Sequence, residues 1–122
     1  MIESAHIDTF ARDSLPPASA QPEFRFDLPE LHYPDRLNAA AELLDKMVER
    51  GHGERPCILT PSETLTYGQL QERVNRIANV LVKNLGLVPG NRVLLRSANN
   101  AMMVVSYLAV VKAGGVVVAT MP

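Results

Sequence analysis
The sequence predicts an α/β fold, and three observations carry that expectation. Two short apolar runs, Val93–Leu95 and Val116–Thr120, flank a long apolar helical stretch from Ala101 to Ala113. Strand, helix and strand joined by short links make a βαβ unit, whose two strands run parallel. Ahead of it, Thr66-Tyr67-Gly68-Gln69 has the form of a helix start in which a threonine oxygen takes a free amide and a glutamine three residues on reaches back. Further upstream, CILT and ETLTY surround Pro61-Ser62, the composition of a β-hairpin and its turn.

Taken in order, residues 1–34 read as an extended Pro-rich arm and residues 35–122 as an α/β subdomain. The arm holds five of the nine prolines and six acidic residues against two basic ones. Proline removes amide donors and pushes its predecessor out of the helical region, so regular structure is not expected here. All three phenylalanines, Phe10, Phe24 and Phe26, lie in it, with Leu28, Leu31 and Tyr33. A freely disordered tail is poorer in such residues. The arm is expected to be anchored on the folded body by its aromatics; the alternative is a loose terminus.

From Leu37 the pattern is helical: Leu37, Ala40, Ala41, Leu44, Met47 and Val48 share a face, and Gly51 is the stop. After the hairpin, Leu70, Val74, Ile77, Ala78, Leu81 and Leu85 form the next stripe. Glu72, Arg73, Arg76 and Lys83 face water, and Asn84 and Gly86 close the helix. Val93-Leu94-Leu95 is apolar at every position, which predicts a strand buried on both faces. Asn99 or Asn100 caps the helix 101–113, which is apolar nearly all round and is expected to be buried in something larger. Val116–Thr120 is expected to be a second buried strand.

The totals narrow the function classes. A chain of 122 residues suffices for one domain. A net charge of −1 gives no general pull toward nucleic acid or anionic membrane. One cysteine, Cys57, rules out an intrachain disulfide framework and agrees with a cytoplasmic location. The opening MIESAHIDTF has charges where a signal peptide needs an apolar core. The apolar window from Ala101 to Ala119 is split by Lys112 and Gly114-Gly115, so it reads as two buried elements and not a membrane span.

No residue stands out as catalytic, cofactor-binding or metal-binding. Gly114-Gly115 leaves a helix and enters a strand, whereas phosphate loops run from strand into helix. A C-cap role explains Gly114, and close packing explains Gly115. His6, His32 and His52 lack ligand spacing with Cys57. His52 reads as a partner of a helix end, and Cys57 as a small core residue. Arg96, Ser97, Asn99 and Asn100 lie at the carboxyl end of a parallel strand, where open α/β sheets bind ligands. The plainer reading is a cap and a solvated arginine.

Three segments together carry a resemblance. LTYGQLQERVNRIANVL (65–81) resembles the first core motif of the adenylate-forming acyl-CoA synthetases, L-T-Y-x-x-L followed by an amphipathic helix. GNRVLLRSANNAMMVVSYLAVVKAG (90–114) resembles the strand and buried helix that follow. VVKAGGVVVATMP is similar to the next motif, L-K-A-G-x-x-x-V-P, departing from it at Val111 and Met121. In the arm, LPP, FDLPEL and YPDRLNAAAELLD resemble the start of benzoate- and 2-aminobenzoate-CoA ligases. The resemblance implies the N-terminal part of the large domain of such an enzyme. It implies ATP-dependent adenylation of an aromatic carboxylic acid, then thioester formation with coenzyme A, using magnesium. The family's phosphate loop, nucleotide-binding motifs and catalytic lysine fall beyond position 122. These residues are therefore expected to be scaffold, inactive alone, binding no cofactor, and partnered by the rest of their own enzyme. The alternatives are part of another acid-CoA ligase, such as a medium-chain acyl-CoA synthetase, or a self-associating interaction module.

Overall fold
The computed structural model describes residues 4–122; residues 1–3 of the arm lie outside the described residues. The first long helix, α1, starts at residue 39, is wound wider than an α-helix over Ala41–Asp45 and again from Val48, and is broken at Gly51, whose φ of +83° makes it the stop read from the sequence. Asn38 starts it, its Oδ1 accepting from the amides of Ala40 at 3.1 Å and Ala41 at 3.2 Å. Leu37, expected on the buried stripe, lies ahead of this cap and is exposed.

Strands β1 (Pro56–Leu59) and β2 (Thr64–Thr66) form the antiparallel hairpin, with Leu59 opposite Thr64 and Ile58 opposite Leu65. Thr60 closes the turn. Its hydroxyl donates to the Glu63 carbonyl at 2.9 Å and accepts from the Glu63 amide at 3.0 Å.

Helix α2 (Tyr67–Asn79), prolonged by a wide turn over Val80–Asn84, begins with its first three amides accounted for. Tyr67 N–H donates to the Arg55 carbonyl at 3.1 Å and Gly68 N–H to Gly53 at 2.8 Å. Gln69 N–H donates to Thr66 Oγ1 at 3.3 Å, and the Gln69 carboxamide accepts from the Thr66 amide at 3.0 Å. This is the reciprocal box read from the sequence. Arg73, expected to face water, instead forks onto the Glu63 carboxylate at 3.3 and 2.9 Å and ties the hairpin turn to α2.

Strand β3 (Arg92–Arg96), helix α3 (Ala101–Lys112) and strand β4 (Val116–Thr120) form the βαβ unit. The strands are parallel and in register from Arg92 opposite Val116 to Arg96 opposite Thr120. Asn100 is the cap of α3, its side chain accepting from Met103 N–H at 2.9 Å.

The core lies between the helices and the hairpin. Leu44 of α1, Leu65 of β2, Leu70 and Val74 of α2, and Ala101, Val105 and Ala109 of α3 form one buried cluster. Spacing of four along α3 puts its small residues on one side, where α2 packs. The stripe on α2 holds through Leu81, but Leu85 is exposed because it falls past the wide turn.

Two burial expectations are corrected. Leu94 of β3 is 65% exposed and Val118 of β4 is 39% exposed. Helix α3 leaves Met102, Val104 and Tyr107 exposed. The reason is geometric: α2 covers one side of α3, and among the described residues nothing covers the far face of β3 and β4. No helix among the described residues is long and apolar enough to cross a membrane.

The arm is corrected in part. Its aromatics pack on one another, Phe24 stacked on Phe26 with centroids 6.3 Å apart and Phe26 edge-on to Tyr33 at 5.8 Å. The anchor on the body is mainly polar, and the one aromatic seen to join it is Phe10, whose ring lies against the Arg92 guanidinium. The amides of Ile7 and Asp8 both donate to the Pro89 carbonyl at 2.9 Å, and Asp8 Oδ2 accepts from Asn91 Nδ2 at 2.8 Å and from Arg92.

Thr66→Ala should lower stability by about 1 kcal/mol, since one helix-start amide loses its acceptor. Asn38→Ala should cost about 1–2 kcal/mol by the same mechanism at α1. Urea midpoints measured on the two variants check both, and an unchanged midpoint would refute the corresponding cap.

Candidate functional site
Each residue singled out in the sequence has a definite place. Gly114 adopts φ +81°, the left-handed region that a side chain disfavours. Its N–H donates to the Val111 carbonyl at 3.0 Å, and Gly115 N–H donates to the Val110 carbonyl at 2.8 Å. That pair of bonds is the Schellman helix stop. A Cβ on Gly115 would lie 2.9 Å from Val110 Cγ1, so close packing also restricts this position. Both glycine amides are thus spent on α3 carbonyls, and neither points at an anion.

Cys57 donates its thiol to the Leu65 carbonyl at 3.3 Å and packs against the core. Burial pushes its thiol pKa up, the opposite of an activated nucleophile. At the carboxyl end of β3, Asn100 is the cap and its Nδ2 donates to Ser97 Oγ at 3.0 Å. Arg96 and Asn99 are exposed. The structure does not draw these four into one constellation. Among the described residues, no three His, Cys, Asp or Glu side chains cluster as metal ligands.

One polar cluster was not anticipated. Asp45 of α1 accepts from Lys112 Nζ at 2.7 Å and from Gln71 Nε2 at 2.9 Å, so a single carboxylate joins all three long helices. Both members of the ion pair are largely covered, Asp45 at 19% and Lys112 at 24% side-chain exposure. Desolvation alone would raise the Asp45 pKa. The hydrogen bonds from Lys112 and then Gln71 outweigh it and hold the carboxyl below its usual range. Asn38 Nδ2 adds a second tie, donating to the carbonyls of Val111 at 3.1 Å and Lys112 at 3.3 Å. Asn38 stands before an Ala-Ala-Ala run, a cap signal readable in the sequence. Asp45 carries no such signal, because its partners lie on other helices.

Two hollows flank these elements. An apolar one of about 390 Å³ opens between the hairpin and α3, lined by Leu43, Cys57, Ile58, Tyr67, Met103 and Tyr107 among others. A more polar one of about 460 Å³ lies between the Thr60–Glu63 turn and the start of α3. Neither contains converging charges of the kind that position a reacting group.

The model of the AMP-binding enzymes matches residues 44–122. The chain belongs to that family. A 3-hydroxybenzoate–CoA ligase from Aromatoleum sp. (strain CIB) is 35% identical over 83 residues, 68% of this chain and 16% of the relative. An acetyl-coenzyme A synthetase of Mycobacterium tuberculosis is 38% identical over 84 residues, 64% of this chain and 13% of the relative. A solved anthranilate CoA ligase, AuaEII with anthranoyl-AMP, superposes with a TM-score of 0.62 at 27% identity, over 66% of this chain and 15% of that one. The chain therefore spans about a sixth of the length of the relatives it matches.

The family motifs now have physical meanings. In Leu65-Thr66-Tyr67-x-x-Leu70, the leucines are core, the threonine is the cap and the tyrosine amide meets Arg55. In Lys112-Ala113-Gly114-Gly115, the lysine bonds Asp45 and the glycines stop α3. Each residue named here has a structural use.

The Asp45 pKa sets a pH dependence. A carboxyl with a depressed folded-state value contributes stability above its ordinary value and loses it as pH falls through the folded-state one. Asp45→Asn should therefore lower the urea midpoint at neutral pH, and the difference from wild type should vanish in acid. A difference that stays constant across that acid range would contradict the assignment.

Proposed function
We propose that this chain is scaffold from the N-terminal part of an ATP-dependent aryl-carboxylate–CoA ligase, acting on benzoate or 2-aminobenzoate. Residues 1–34 would be its arm and residues 35–122 part of its large domain. The observation that carries the reading is the family match over residues 44–122, joined to relatives whose names specify aromatic acids. A carboxylate is a poor acylating agent; taking the adenylyl group of ATP, with release of pyrophosphate, would give it AMP as the leaving group that the coenzyme A thiol displaces.

The residues described do not fit a nucleotide phosphate or a magnesium ion. The glycine amides are engaged, and no acidic group is set for a metal. We therefore assign ATP, magnesium and coenzyme A to parts of a longer protein and derive no chemical step from these side chains. On this reading the chain alone is inactive, and its partner is the remainder of its own enzyme, in the cytoplasm.

A second reading, another acid-CoA ligase, draws on the 38% identity to an acetyl-coenzyme A synthetase. That figure exceeds the 35% identity to the hydroxybenzoate enzyme, so identity in this region does not rank substrates. A medium-chain acid falls under the same reading. A third, self-association, draws on the exposed apolar side chains of α3, β3 and β4.

ATP–pyrophosphate exchange tests the proposal, run with benzoate, 2-aminobenzoate, acetate and octanoate. It needs this chain and a chain continuing it to the relatives' length. Exchange by the long form with an aromatic acid, and none by the short form, is expected. Preference for acetate or octanoate would favour the second reading, and exchange by the short form would overturn the scaffold role.

A further inference from the structure
Residues 6–10 make a compact set of contacts with one turn. The amides of Ile7 and Asp8 converge on the Pro89 carbonyl, both at 2.9 Å. The Asp8 carboxylate takes Phe10 N–H at 3.0 Å on one oxygen, and Asn91 at 2.8 Å with Arg92 on the other. The Arg92 guanidinium carbon lies 4.7 Å from the Phe10 ring centroid, a cation–π contact. Gly90 makes the approach sterically feasible: a Cβ there would stand 2.0 Å from the Asp8 carbonyl oxygen.

The far end of the arm is held nearby. Asn38 reaches the Val111 and Lys112 carbonyls, and Gly90 N–H donates to the Gly114 carbonyl at 2.8 Å. Both ends of the intervening segment thus meet the body around the α3–β4 junction. No residue from 10 to 39 is buried, so apolar packing does little to hold that segment. Polar anchors hold both of its ends.

We propose that residues 6–10 are a releasable latch, closing residues 11–37 into a loop pinned at both ends beside the α3–β4 junction. Opening the latch turns a closed loop into a free tail. The entropy regained by the loop favours release, and the Asp8 contacts oppose it. The core cluster contains no residue of the latch, so release leaves the body folded.

The test uses the full chain. In Asp8→Ala, amide exchange at Ile7 and tryptic cleavage after Arg12 should rise several-fold, with the thermal transition of the body retained. Arg92→Gln removes the partner from the other side and should reproduce the effect. The double variant should release the latch little further than either single one. Unchanged exchange at Ile7 in both single variants would overturn the latch. So would release that appears only with loss of the body's thermal transition.

Discussion
The structure depends on how α3 ends. The last turn of a helix leaves carbonyls without partners, and here each finds one within a few residues or across the molecule. Ala109 accepts from the Ala113 amide, Val110 from Gly115 and Val111 from Gly114, while Asn38 serves both Val111 and Lys112. This turn reverses the chain into β4 in register with β3, because Gly114 also accepts from Gly90 and Val116 donates to Asn91. Lys112, on the same turn, carries the ion pair that brings α1 against α2 and α3. One junction therefore sets the sheet, the crossover and the placement of the first helix.

The same junction explains why family membership is readable here and substrate is not. The motif residues hold helices, strands and turns in place. On the proposed reading the chain is scaffold, which need not vary with the acid, and the matched relatives carry names as different as acetyl-coenzyme A synthetase and 3-hydroxybenzoate–CoA ligase. On that reading, acid-specific contacts would be sought in other residues.

Local chemistry was legible in the sequence. The Thr66–Gln69 box, the hairpin around Pro61-Ser62, the C-cap role of Gly114 and the parallel βαβ unit each rest on a few adjacent residues. The structure shows all of them. What stayed hidden depends on partners far away in the chain. Asp45 meets Lys112 across 67 positions and Asp8 meets Arg92 across 84, and no periodicity encodes such pairs. Apolarity of β3 and α3 was legible, but not which faces are covered, because that depends on the layers present. Three of the arm's aromatics misled for a related reason. Apolar composition signals burial against something, and here Phe24, Phe26 and Tyr33 use one another. The helix-stop role of Gly114-Gly115 was legible from chain direction alone, and the engaged amides supply its atomic basis.

The parallel pairing of β3 and β4 has a kinetic consequence. An antiparallel hairpin such as β1–β2 can close across its own short turn, within microseconds in isolated examples. β3 and β4 have no such turn. Their backbones are brought together across α3, which is the connection between them. The loop-closure entropy of the whole crossover is lost before any β3–β4 hydrogen bond repays it. Folding of this half of the molecule is therefore expected to be paced by closing the crossover, since a helix winds faster than a hairpin forms.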